Sequence, residues 1–335
     1  MPSGVWVNDT ESHRAGPTAC PENQTIQSAL DAVSHRNSSR TSTLFPLQHG
    51  SHEAVCVEVR RLVRLPYVLL NFRMHLPHSW KVTLMHGPRN GFDILNSPLP
   101  TLRHHLHTGA IRVVPLPRSR WISIHRDGHD RAWYNNFIIS KEFWSAVSTA
   151  RHVMLFEADS ILCAMPTVPV NWWLGRFTYV GAPWSRRWGA GGYWCGSLPC
   201  CVGNSGLSLW DRELMAHLYE HGELHPYGRF VDNWASFSLQ ALHAKGKLPL
   251  PAVPNPELAG AFAWEIPPDV SLRLGLLRSP AVTPLGFHGV RHWGPMHSWC
   301  KSASVAQRPR CEAMIASCPA ILQVSVNASL DGELS

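Results

Sequence analysis

The sequence predicts an α/β fold in which a mostly parallel, Rossmann-type central sheet is flanked by helices, and two observations carry that prediction. Short apolar runs rich in β-branched residues alternate with stretches whose apolar residues recur at helical spacing. One run, His152-Val153-Met154-Leu155-Phe156, leads straight into the acids Glu157 and Asp159. The carboxyl end of a buried strand is where open α/β sheets bind ligands.

The first 52 residues are rich in Ser, Thr, His and Asn and are expected to form an irregular leader, 1–52. Order is expected over 53–293 as a single domain, with a Cys-containing tail over 294–335. Residues 54–59 read as a buried strand, 64–76 as a helix and 80–86 as a second strand stopped by Gly87-Pro88. Strand, helix, strand with short connections is the start of a parallel sheet. Residues 111–114 give a third strand candidate, and 133–147, rich in Trp and Phe, have helical character. After the strand 152–156 come a strand at 177–181 and a Gly-rich loop at 188–196 expected to be mobile. Residues 201–210 then read as a glycine turn and a strand. Helices are expected at 212–221 and 231–244, the latter opened by Asp232, and from Leu248 the chain reads as Pro-rich and loosely structured.

Composition bounds the function. Hydrophobic residues make up 44% of the 335 and charged residues 16%, enough apolar material for a substantial core. Fifteen Trp either pad that core or line a sugar- or base-binding cleft, and padding is the default. The net charge of +7 is scattered with no lysine-rich block, which argues against a nucleic-acid partner. No apolar run reaches the roughly 18 residues of a membrane span, and the N-terminus has neither the basic start nor the apolar core of a signal peptide. Sequons at Asn8, Asn23, Asn37 and Asn327, together with nine Cys, favour a secretory or Golgi-lumen setting for a glycoprotein. Cys195, Cys200 and Cys201 cluster mid-chain and Cys300, Cys311 and Cys318 in the tail. Either set has the makings of disulfides that spacing alone does not assign.

Four segments bear chemistry. The first is Glu157-Ala158-Asp159-Ser160: two carboxylates at a strand end are costly unless compensated, and a hard divalent cation, Mg2+ or Mn2+, is the usual compensation for oxygen ligands. The bland alternative is a strand end whose acids cap the next turn. The second is Gly203-Asn204-Ser205-Gly206, where two glycines let backbone approach a ligand, or simply make a turn. The third is Asp232, a helix-start acid that serves either as an N-cap or as a base for an acceptor hydroxyl. The fourth is Gly286-Phe287-His288, whose His either completes a metal shell or lies on the surface.

In order, these segments resemble one family. Tyr134-Asn135, Phe156-Glu157-Ala158-Asp159-Ser160, Tyr179-Val180-Gly181-Ala182-Pro183-Trp184, Gly203-Asn204-Ser205-Gly206-Leu207-Ser208-Leu209, Val231-Asp232, Phe262-Ala263-Trp264-Glu265 and Gly286-Phe287-His288 are similar to the domain-of-unknown-function family 5672 (DUF5672). That family is regarded as glycosyltransferase-like with a GT-A-type fold. The resemblance, over roughly 53–293, implies a metal site of Asp159, Glu157 and His288 holding Mn2+ or Mg2+. It implies donor and phosphate contacts from Ser160, Gly203, Asn204, Gly206, Glu58 and Asn135, and a catalytic Asp232. The partners it implies are a nucleotide-sugar, UDP-sugar first among them, and a carbohydrate or glycoconjugate acceptor. The chain departs from the family in having Ala158 where Thr is more usual and Val231 where Glu is usual.

The leading expectation is therefore a metal-assisted transferase moving a sugar from a nucleotide-diphosphate donor to an acceptor hydroxyl. A non-catalytic carbohydrate-binding relative is the alternative, favoured by the Trp content and the missing acid at Val231. A metal-dependent phosphoryl hydrolase ranks last, because Glu157 stands where such an enzyme keeps an Asp nucleophile.

Overall fold

The computed structural model describes residues 20, 25–38, 52–116, 131–184, 198, 200–225, 230–265, 282–289, 312 and 316–320. Their order is α1 (Ile26–Ser38), β1 (His52–Glu58), α2 (Leu65–His75), β2 (Trp80–His86), α3 (Pro88–Leu95), α4 (Pro100–His107), β3 (Ile111–Pro115), α5 (Arg131–Ile138) and α6 (Lys141–Ala146). There follow β4 (His152–Phe156), β5 (Ile161–Leu162), α7 (Val170–Trp173), β6 (Tyr179–Pro183), β7 (Val202–Asp211), α8 (Arg212–Glu220), α9 (Val231–Ala244), α10 (Pro256–Phe262), β8 (Ala263–Trp264) and β9 (Gly286–Phe287).

Six strands form the central sheet in the order β3-β2-β1-β4-β7-β6. β1 pairs in parallel with β2 and β4, and β2 with β3; β7 runs antiparallel to both β4 and β6. The α/β class and the mostly parallel sheet are thus as the sequence predicts. Side chains alternate between two buried layers because successive strand residues point to opposite faces. Ala54 and Cys56 of β1 and Met154 and Phe156 of β4 join the layer under α2, α7 and α10. Val55, Val57, Val153 and Leu155 join the layer under α5, α6, α8 and α9. The Phe72 ring of α2 stacks on Phe156 at 3.7 Å between centroids, fixing the last residue of β4 before the acids. Trp80, Trp144, Trp173, Trp210 and Trp234 are all fully buried, so these tryptophans pad the core.

A second, three-stranded sheet, β5-β9-β8, joins the strand just beyond the acidic turn, β5, to two late in the chain. Ile161 pairs with Phe287, and Trp264 with Phe287 on its other side. The short sheet therefore carries the residue after Phe287, His288, back to the end of β4.

Several expectations change. The leader is not wholly irregular: Ile26, Ala29, Leu30 and Val33 repeat at helical spacing in α1, and Ile26 and Ala29 are buried in the core. The helical stretch 133–147 is two helices, because the Ser140 side chain accepts from Phe143 N and starts a new one. Residues 202–211 form one continuous strand rather than a turn and a strand; the irregularity falls on β6, whose register shifts twice around Ala182. The chain after Leu248 contains α10, started by the Asn255 side chain, and two strands. The loop at 188–196 lies outside the described residues.

Two disulfides among the described residues join distant segments: Cys20 bonds Cys200 and Cys163 bonds Cys318; Cys201 is disulfide-bonded as well. Each of the two pairs ties an end of the chain to the sheet, a pairing that sequence spacing does not contain. Cys300 and Cys311 lie outside the described residues. Among the described residues no helix is long and apolar enough to cross a membrane.

Candidate functional site

β4 is buried over its whole length and its backbone is consumed by β1 and β7 on either side, so the chain must turn where the strand ends. The turn is tight: Ser160 N donates to Glu157 O at 3.0 Å, and Glu157 N donates to Gly206 O at 2.8 Å. The Ser160 hydroxyl donates to the same carbonyl at 2.7 Å. These bonds lock residues 157–160 against β7 and throw the Glu157 and Asp159 side chains to one place. Arg64, at the start of α2, secures the turn from the other side by donating from Nε to Ala158 O at 2.8 Å.

His288 reaches the same place. Its Nε2 lies 3.4 Å from Glu157 Oε2 and 3.5 Å from Asp159 Oδ1. One ligand atom from each of Glu157, Asp159 and His288 falls within 4.8 Å of the others. Ligands at adjacent octahedral positions around an ion with bonds of about 2.1 Å stand about 3 Å apart, so the three side chains need close only slightly to share one cation. Asp159 is 2% exposed, His288 12% and Glu157 30%, which leaves the open side of the cluster at Glu157. Two carboxylates with one imidazole suit a hard or borderline divalent ion such as Mn2+. Burial opposes charge on His288, but Asp159 and Glu157, with Glu265 behind them, outweigh it and raise its pKa to about 10. The imidazolium supplies the positive charge that this acidic cluster demands, and a cation would supply it instead.

Around this cluster stand the remaining candidates. Asp232 is the second residue of α9, yet it does not cap the helix, whose N-cap is Phe230. Its Oδ1 accepts from Ser205 N at 2.9 Å and from the Ser205 hydroxyl. Burial raises the Asp232 pKa, opposed by the bonds from Ser205. Gly206 leaves room for the His288 ring: a Cβ there would stand 2.1 Å from Nε2. Asn204 Oδ1 accepts from Gly206 N at 2.9 Å and shapes the strand beside the cluster.

Four expected contacts have structural employment. The Ser160 hydroxyl is buried and bonded to Gly206 O. Gly203 faces Ser236 and Trp184, where a Cβ would stand 1.8 Å from the Ser236 hydroxyl oxygen. Asn135, buried on α5, accepts from Val231 N at 2.7 Å and so pins the first turn of α9. Glu58, at the carboxyl end of β1, accepts from Arg60 Nε at 2.8 Å and Nη2 at 2.6 Å.

Sequence reasoning missed two charged groups and one phenol. Arg60 interacts electrostatically with Glu157 and Asp159 as well as with Glu58. Glu265, just after β8, bonds the Asn204 side chain, and burial pushes it up to about 7. Tyr134, next to Asn135, feels Glu157 and Asp232, and burial raises its pKa. A signal for Glu265 was present in the family-like segment Phe262-Ala263-Trp264-Glu265, but no spacing ties it to residue 159. β1 and β4 are adjacent and their crossovers leave toward opposite edges of the sheet. The cluster therefore sits beside the switch point, where such sheets bind ligands.

Among solved structures, the mannosyltransferase PcManGT from Pyrobaculum calidifontis, in complex with GDP-Man and Mn2+, aligns with 92% of this chain and 84% of its own at 12% identity and a TM-score of 0.41. The glycosyltransferase GlyE of Streptococcus pneumoniae TIGR4 aligns at 12% identity and a TM-score of 0.41 over 83% of this chain; the chain spans 63% of that protein. The galactosyltransferase LgtC, in complex with donor and acceptor sugar analogs, aligns at 10% identity and a TM-score of 0.43 over 79% of this chain and 96% of its own. No curated protein matches by sequence. Residues 122–288 match the family described as "Protein of unknown function (DUF5672)", a narrower span than the segments from 53 onward that resemble it. The segment that carries Glu157, Asp159, Asp232, Glu265 and His288 thus belongs to the DUF5672 family.

Proposed function

We propose that the protein is a glycosyltransferase that moves a sugar from a nucleoside-diphosphate donor to an acceptor hydroxyl with the help of a divalent cation. The observation that carries this reading is the convergence of Glu157, Asp159 and His288 on one point at the carboxyl end of β4. Those three residues would hold Mn2+ or Mg2+. Bound there, the ion would neutralise charge gathering on the departing diphosphate.

The remaining chemistry belongs to the chain. Asp232 is partly buried and aimed by Ser205, and its raised proton affinity suits it to take the acceptor's proton if the reaction inverts the anomeric centre. Glu58 and Arg60, at the end of the neighbouring strand, make a charged pair suited to the nucleotide side of the donor. Asn204 and Gly206, on the strand beside the cluster, would shape the donor or acceptor side. UDP is the favoured nucleotide, and a carbohydrate or glycoconjugate the favoured acceptor. The Cys20–Cys200 and Cys163–Cys318 bonds fit a secretory-type, oxidising compartment.

Incubation with a panel of nucleotide-sugars, followed by mass spectrometry, tests the reading. Release of nucleoside diphosphate should require Mn2+ and cease in Asp159→Asn. Phosphate release from simple esters would favour a hydrolase, and glycan binding indifferent to metal and nucleotide would favour a carbohydrate-binding relative.

A further inference from the structure

Several polar side chains around the Glu157–Asp159–His288 cluster are bonded within the chain. Ser160 donates to Gly206 O, Ser205 to Asp232 and Arg60 to Glu58, while Asn204 Oδ1 accepts from Gly206 N. Tyr134 differs from them: its hydroxyl makes no hydrogen bond among the described residues.

Two contacts fix where Tyr134 stands. The next residue, Asn135, accepts from Val231 N at 2.7 Å and so holds α5 against the first turn of α9, one residue before Asp232. The half-buried Tyr134 ring packs against the layer that includes Val55 and Val57 of β1 and Leu155 of β4. Its phenol stands among carboxylates from three elements: Glu157 after β4, Asp232 in α9 and Glu58 at the end of β1, with Glu157 acting on it most strongly of the three. Burial and these negative charges hold the proton on the oxygen, so the group is a hydrogen-bond donor.

A neutral donor left unused among carboxylates suits an anion that arrives with its own cation. A diphosphate would reach this place at an ion held by Glu157 and Asp159, and an O–H bond to a phosphate oxygen is charge-assisted. An acceptor hydroxyl, by contrast, is neutral and already has Asp232 to bond. We infer that Tyr134 binds the donor, its hydroxyl donating to a phosphate oxygen of the nucleoside diphosphate. The inference rests on the nucleotide-sugar reading above and adds a binding residue to that site.

Calorimetric titration of the full chain with UDP in Mn2+, for the wild type and Tyr134→Phe, tests it. Because the hydroxyl bonds nothing else among the described residues, its removal should leave Tm within about 2 °C. UDP should bind about tenfold more weakly, as loss of a bond to a charged group predicts. The affinities for Mn2+ alone and for uridine, which lacks the phosphates, should stay within about twofold. Unchanged UDP affinity in the variant, an equal loss for uridine or for Mn2+ alone, or a larger fall in Tm, which would mean that the hydroxyl serves the fold, would overturn the inference. Failure of the wild type to bind UDP would overturn the nucleotide-sugar reading itself, and this inference with it.

Discussion

The imidazole of His288 occupies the space that the missing side chain of Gly206 leaves on β7, and a Cβ there would stand 2.1 Å from Nε2. Strand and imidazole are thus built around each other. Gly206→Ala should force His288 away from Glu157 and Asp159, weakening Mn2+ binding by about tenfold or more while costing about 1–3 kcal/mol of stability, as overpacking does. Metal titration beside a urea melt separates the two effects. Unchanged metal affinity in a folded variant would argue against His288 as a ligand.

The same histidine sets a pH dependence in the metal-free protein. Its folded pKa of about 10 lies above the ordinary 6.5, because Asp159 and Glu157 outweigh the burial that opposes its charge. Its contribution to stability is therefore complete below about pH 6.5 and lost as pH rises through about 10. In chelator, the urea midpoint should fall between about pH 7 and 10, and His288→Gln should flatten that fall. Because a metal must displace this proton, Mn2+ binding should strengthen over the same window.

Asn135 joins α5 to α9 through the Val231 N–H, and its neighbour Tyr134 lies by Glu157 and Asp232. Asn135→Ala leaves that N–H without its partner and should cost about 1–3 kcal/mol. Asn135→Asp, which keeps an acceptor oxygen, should recover most of it, as read from thermal unfolding. Equal losses in both variants would mean that the amide's shape, not its acceptor, matters.

The bond between Cys163 and Cys318 closes a sequence separation of 155 residues and fastens the tail four residues beyond Asp159. Replacing both cysteines by Ser should cost about 2–5 kcal/mol, lowering Tm by roughly 3–7 °C for a chain of this size. Scanning calorimetry of the double variant checks it. An unchanged Tm would show that the tail contributes nothing to the fold.

Much of this architecture was legible in the residues because burial on both faces writes itself into long apolar runs. β1, β2 and β4 stand out for that reason, and Glu157 and Asp159 stand out as acids directly after the last of them. α1 hid because its few apolar residues sit among polar ones, so its helical spacing was masked by composition. β8 and β9 are two residues each, too short for any period, yet they deliver His288 and Glu265. Asp232 reads as an N-cap in sequence; only the fold directs it to Ser205 instead. The disulfides belong to the same class, because a pair 180 residues apart leaves no local trace. Local propensity and patterning report strands and helices, whereas a site assembled from four separate segments is a property of their packing.

Asp159 and its neighbours are proposed to hold a divalent cation at the end of β4. Electron paramagnetic resonance of free Mn2+, titrated with the wild type and with Asp159→Asn, measures it directly. One bound Mn2+ per chain is expected in the wild type, tightened by UDP, and an affinity lower by about tenfold or more in a variant that keeps its thermal transition. Equal Mn2+ binding by the two proteins would contradict it.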